Sequence, residues 1–122
     1  PMENSILIID TDNNFVAQAN PLLQNMGIEV LIAQDGIDGL NQARERAPGS
    51  ILMDVALPYL SGLHVCKLLK NDERYNSIPI VFLSSKDDPD TVLNTQRVGG
   101  DAFLRKPITD DQLVRELIQI LS

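Results

Sequence analysis

Five short apolar runs, at residues 6–9, 30–33, 51–53, 80–83 and 102–104, recur along the chain and restrict its fold more than any other feature. Each is shorter than a typical buried helix, and each lacks the alternation of a strand with one wet face. They read as five strands buried on both faces. Between them the spacing turns helical: Phe15, Val16, Ala19, Leu22, Leu23 and Met26 share one helix face, and Leu63, Val65, Cys66, Leu68 and Leu69 form another. Strands separated by helical crossovers pair in parallel, so the expected fold is α/β, a doubly wound five-stranded parallel sheet with helices on both faces.

Local signals refine this outline. Thr109, with Gln112 three residues on, makes a capping box ahead of Leu113, Leu117, Ile118 and Leu121, which predicts a last helix. Pro21 lacks the amide that would bond to the Ala17 carbonyl, so a kink is expected there; Gly39 costs about 1 kcal/mol against Ala in a helix interior. A chain of 122 residues, 43% of them hydrophobic, supports one core. No linker, repeat or biased tract divides it, and residues 1–122 are expected to form one domain.

Charge narrows the partners. Ten basic against 17 acidic residues leave a formal charge of −7, which opposes direct contact with nucleic acid or an anionic membrane. Cys66, the one cysteine, cannot form an internal disulfide, and no stretch approaches the roughly 20 apolar residues needed to span a bilayer. With no signal-peptide pattern, a cytoplasmic location is expected.

Four of the five runs lead into polar residues: Asp10, Asp54, Ser84, and Arg105 with Lys106. In a parallel sheet these ends share one edge, where open α/β sheets bind their ligands. Two carboxylates held together repel unless a cation intervenes, and Mg²⁺ prefers oxygen ligands, so Asp10 and Asp54 are candidates to share one. A phosphoryl group on Asp54 would then be stabilised by position alone, through the metal, Lys106 and the Ser84 hydroxyl.

These residues resemble the response-regulator receiver domains of two-component signalling, which are flavodoxin-like (βα)5 folds, across essentially the whole chain. Asp10 sits where that family ends its first strand in an acidic pair. Asp54, followed by Pro58 and Gly62, sits where it keeps its phosphoacceptor, and Lys106-Pro107 follows the fifth strand. The resemblance implies that Asp54 is phosphorylated by a partner histidine kinase or phosphotransfer protein. It implies that Asp10, Asp54 and the Ala56 carbonyl hold Mg²⁺, and that Ser84 and Phe103 switch with the phosphoryl group. It implies also that the Lys106-Pro107 bond is cis, and that a downstream protein or effector domain docks on residues about 90–121. The chain would act as a monomer or a phosphorylation-linked dimer, catalysing only its own phosphorylation and dephosphorylation. One position departs from the pattern: the second acid of the pair is Thr11, a weaker ligand for a hard cation, with Asp12 following it.

Two rival functions carry their own residues. Thr11 supports a degenerate receiver, a phosphorylation-independent interaction module. Asp10-Thr11-Asp12 after a strand resembles the nucleophile motif of haloacid-dehalogenase-like phosphatases, with Asp10 as nucleophile, Ser84, a following Lys and Gly100-Asp101 loosely matching the remaining motifs, and Asn14 fitting poorly. A flavin module would need a hydroxyl- or Gly-rich loop, and residues 11–14 are too acidic. Bland readings stand beside the sharp ones. Asp54 could cap a turn, Asp12 could be a helix N-cap instead of a metal ligand, and Phe103 could be core. His64 has no partner at metal-ligand spacing, Met53 and Cys66 fit packing positions, and residues 67–74 read as a solvated helix end.

Overall fold

The computed structural model describes residues 2–121. Strands β1 (Met2–Ile9), β2 (Glu29–Ala33), β3 (Pro48–Asp54), β4 (Ile80–Ser84) and β5 (Ala102–Arg105) alternate with helices α1 (Asn13–Asn25), α2 (Gly36–Arg46), α3 (Gly62–Lys70), α4 (Pro89–Arg97) and α5 (Asp110–Leu121). All strand pairs are parallel, in the order β2-β1-β3-β4-β5. The chain therefore leaves β1 in one direction and β3 in the other, and the crevice between their carboxyl ends is the topological switch point.

The apolar runs of the three central strands are fully buried, and successive residues feed opposite faces of the sheet. Leu7, Ile9, Ile51 and Met53 join Leu40, Ala43, Val65, Cys66 and Leu69 of α2 and α3. Ile6, Ile8 and Leu52 join Phe15, Ala19 and Leu23 of α1 and Leu113 and Leu117 of α5. The edge strands depart from the expectation of two buried faces: Ile32 of β2 is exposed, and in β5 Ala102, Phe103 and Leu104 are half-buried and Arg105 is exposed. An edge strand has one neighbour, and its helical cover stops short.

Helix ends follow the chemistry of their first residues. Asp12, Asp35, Ser61 and Asp88 each accept an amide of the first turn. At α5 the capping box is complete: Thr109 Oγ1 accepts the Gln112 amide at 3.1 Å, and Gln112 Oε1 accepts the Thr109 amide at 3.0 Å. α1 runs unbroken through Pro21. Gly39 lies against β1, where a Cβ would stand 2.7 Å from the Ile9 side chain, so close approach offsets its poor helix propensity. Among the described residues no helix is long and apolar enough to cross a membrane.

The run at 67–74 is more than a solvated end. Lys70 Nζ donates to the carbonyls of Asn76 (3.3 Å) and Ile78 (2.8 Å) and to Asp101 Oδ2 (2.9 Å), which also accepts the Ile80 amide at 2.8 Å. This clamp fastens α3 to the starts of β4 and β5, at the edge of the sheet opposite the switch point. Asp101 thus belongs to the frame. Asp101→Ala is expected to cost about 1–2 kcal/mol, because it strips an acceptor from a strand amide and a partner from Lys70; urea unfolding would show this as a lower midpoint, and an unchanged midpoint would exclude the clamp.

Candidate functional site

Asp10 follows β1, its amide extending the ladder to the Ala33 carbonyl at 3.0 Å, and Asp54 closes β3 next to it. Lys106 follows β5, and its amide donates to the Ser84 carbonyl at 2.8 Å. From there its side chain turns into the crevice. Nζ lies 2.7 Å from Asp10 Oδ2, 2.8 Å from Asp54 Oδ2 and 3.2 Å from Asp12 Oδ2. One ammonium thus faces three carboxylates. Of the three, Asp10 is fully buried, Asp54 has 15% of its side chain exposed and Asp12 39%.

The neighbouring amides hold these groups in place. Asp10 Oδ1 accepts the Asp12 amide at 2.9 Å, and Asp54 Oδ1 accepts the Ala56 amide at 2.8 Å. Asp12 is the N-cap of α1, one of the two roles the sequence left open. Its Oδ1 caps α1 by accepting the amides of Asn14 (3.0 Å) and Phe15 (3.2 Å), while Oδ2 reaches Lys106. Thr11 is exposed. Gly62 lets α3 begin directly behind the site: its amide donates to the Val55 carbonyl at 3.0 Å, and a Cβ there would stand 2.3 Å from the Asp54 carbonyl oxygen. The Lys106-Pro107 peptide bond is cis.

Ser84 and Phe103 stand beside the cluster. The Ser84 hydroxyl, buried at the end of β4, accepts the Lys86 amide at 3.0 Å. Phe103 is half-buried on the edge strand and packs against the core on the α3 side; it also lines a surface cleft of about 710 Å³ with Arg105, Gln112 and Arg115. His64 is exposed and shares a 2.8 Å hydrogen bond, Nδ1 to Oγ, with Ser61. Cys66 is buried, and burial pushes its thiol up to about 11.

Electrostatics follow from burial and from the shared ammonium. Burial raises the Asp10 carboxyl above its ordinary value, and the contacts with Lys106 and the Asp12 amide pull it back without cancelling the rise. For Asp12, burial pushes upward, but the Phe15 amide and Lys106 prevail and hold it low. Burial would lower Lys106; its close contacts with the Asp10 and Asp54 carboxylates outweigh that and hold it high.

Among the described residues no three His, Cys, Asp or Glu side chains form a complete metal-ligating set. A divalent ion that keeps several waters needs only one or two carboxylates. The cluster suits such an ion: three carboxylates outnumber one ammonium, and Asp10 Oδ2, though beside Lys106, has no aligned hydrogen-bond donor.

Sequence reasoning missed two residues here. Phe15, read as a core position, places its ring under Lys106, with Nζ 5.3 Å from the ring centroid. Tyr59 is 83% exposed and has φ +69°, at the apex of a three-residue turn closed by the Leu60 amide on the Pro58 carbonyl at 2.8 Å. Neither carries a local signal, since one depends on a partner across the fold and the other on a backbone angle that Tyr does not favour.

The chain belongs to the response regulator receiver domains: the sequence model of that family matches residues 6–118. Among its relatives, PilG of Pseudomonas aeruginosa is 33% identical over 109 residues, which make up 89% of this chain and 81% of PilG. The chemotaxis response regulator CheY4 of Vibrio cholerae superposes with a TM-score of 0.89 at 26% identity, covering 98% of this chain and 99% of that one. A receiver domain of a Pseudomonas aeruginosa sensor histidine kinase, which has a magnesium ion coordinated in its active-site cleft, superposes at 0.84 with 26% identity, covering 96% of each chain. Both the family and the full burial of Asp10 count against the phosphatase alternative, whose nucleophile must meet its substrate.

Two outcomes test this geometry. Because the folded-state value of Asp10 lies above the ordinary 3.8, the native state keeps a proton that the unfolded chain releases; its contribution to stability falls as pH rises from about 3.8 through the folded value. Asp10→Asn should therefore gain stability over the native chain across that window, and urea midpoints at stepped pH would show the gap widen. Tyr59→Gly should gain about 0.5–1 kcal/mol by relieving the positive φ at the turn apex, read as a higher urea midpoint; no gain would mean that the turn is unstrained.

Proposed function

We propose that this chain accepts a phosphoryl group on Asp54 from a phosphohistidine of a partner kinase or phosphotransfer protein. The observation that carries the reading is the convergence of Lys106 Nζ on Asp10, Asp12 and Asp54 at the switch point, with Asp54 more open than Asp10. An Asp54 carboxylate oxygen attacks phosphorus, the P–N bond breaks, and its electron pair returns to the imidazole. No separate base is needed, because positioning with charge stabilisation carries the transfer. Lys106 follows the charge from the Asp54 carboxylate to the phosphoryl oxygens, and the Ala56 amide keeps Asp54 oriented. The Ser84 hydroxyl stands at the next strand end, where exchanging the Lys86 amide for a phosphoryl oxygen would signal the modification to the segment before α4.

Asp10 and Asp54, with the Ala56 carbonyl and Asp12 Oδ2 in place of the acid missing at Thr11, would hold Mg²⁺. When bound, the ion supplies positive charge against the phosphoryl oxygens. The readout surface is residues about 90–121, where Phe103, Arg105 and Arg115 line the β5–α5 cleft and a downstream protein or effector domain would dock. On this reading the domain works in the cytoplasm, singly or as a modification-linked dimer, and its only chemistry is on its own side chain. Thr11 favours a second reading, a receiver that keeps its surface but takes no phosphoryl group.

Incubation with acetyl phosphate and Mg²⁺, followed by intact-mass measurement, separates the two. The expected adduct requires Mg²⁺, disappears in Asp54→Asn and weakens in Asp10→Asn, and Thr11→Asp forms it faster. A native chain that stays unmodified while Thr11→Asp is modified would establish the degenerate receiver.

A further inference from the structure

We propose that Phe15 is a positioning residue for Lys106, its ring holding the ammonium by cation–π attraction while the phosphoryl group changes the partners on the other side. The rate consequence rests on the phosphoacceptor reading; the positioning does not.

The geometry supports it from three directions. The ammonium has three N–H groups, and Asp10, Asp12 and Asp54 each present a carboxylate oxygen within 3.2 Å. The Phe15 ring, with its centroid 5.3 Å from Nζ, adds a fourth neighbour that attracts charge without competing as a carboxylate would. The ring is also fixed. Phe15 is 4% exposed and packs in the core between α1 and α5, and its amide donates to Asp12 Oδ1, on the same carboxylate whose other oxygen meets Lys106. Finally, ring and ammonium share the wall of a cleft of about 340 Å³, lined also by Asp12, Gln18, Pro107 and Ile108. With a smaller or less electron-rich side chain at 15, water from that cleft would compete for the ammonium.

Phosphorylation makes a neutral anchor useful. Transfer turns one Asp54 oxygen from a free carboxylate oxygen into a bridging one and moves negative charge outward onto the phosphoryl group. A lysine held by carboxylates alone loses part of its hold at that step, whereas the ring's attraction is the same before and after. Phe15 therefore fixes the pivot about which Lys106 passes from carboxylate to phosphoryl oxygen.

Replacing Phe15 with mono-, di- and trifluorinated phenylalanines drains the ring face of charge while nearly keeping its shape; Phe15→Leu removes the ring. Two quantities are read across the series: the order parameter of the Lys106 ammonium by nitrogen relaxation in the unphosphorylated protein, and the rate of phosphoryl gain from acetyl phosphate at fixed Mg²⁺. Both should fall stepwise with fluorine number, and Phe15→Leu should slow transfer by about 2- to 30-fold, the range a cation–π contact spans. Thermal melting confirms that each variant is folded. Ammonium order that is flat across the fluorinated series would overturn the proposal and leave Phe15 a packing residue. Falling order with an unchanged rate would overturn its role in transfer. If the native chain takes no phosphoryl group yet ammonium order still falls with fluorination, the phosphoacceptor reading fails and the positioning stands.

Discussion

The structure turns on one charge imbalance: a single ammonium set against three carboxylates at the seam between β1 and β3. Like charges this close would drive the strand ends apart, and Lys106 is what allows them to share the crevice. Much of the surrounding architecture serves that placement. The β4 end receives the Lys106 amide, and Gly62 lets α3 begin behind Asp54. The excess of negative charge is retained, and at Asp10 burial, with a smaller contribution from the Asp54 charge, holds the carboxyl above its ordinary value. A site in this condition is set to attract cations.

What was legible in the sequence were features that act locally or by period. The runs at 6–9, 51–53 and 80–83 are uniformly apolar because both faces of central strands are covered, and the capping box at Thr109 is complete within four residues. Asp10, Asp54 and Lys106 were found because a strand end followed by a charge is a local signal, and the family resemblance joined them. The exposure of β2 and β5 was not legible, since a run of apolar residues does not say which strand will be outermost. Partnerships across the fold were hidden for the same reason. Lys70 with Asp101, Phe15 with Lys106 and Asp12 with Lys106 join residues far apart in the chain, and each has an adequate bland reading until the sheet is assembled.

Thr11 and Asp12 show how a one-residue displacement can alter the coupling of a site. With the acid at position 12, the carboxylate that faces Lys106 is also the N-cap of α1. A group drawn toward the crevice would load the first turn of that helix, and fraying of the turn would loosen the crevice. An acid at position 11, one residue further from the cap, would leave the two events more nearly independent.

The division of the core into two sets of side chains has an evolutionary consequence. Leu7 and Ile9 pack with α2 and α3, Ile6 and Ile8 with α1 and α5, and the sheet stands between them. Drift in one helical layer can be absorbed within that layer, so the two faces of the domain are free to diversify at different rates. The seam at Asp10, Asp54 and Lys106 lies at the ends of β1, β3 and β5, strands against which both layers pack. Substitutions that reach it from either side are therefore where the divergence of the two layers meets a common limit.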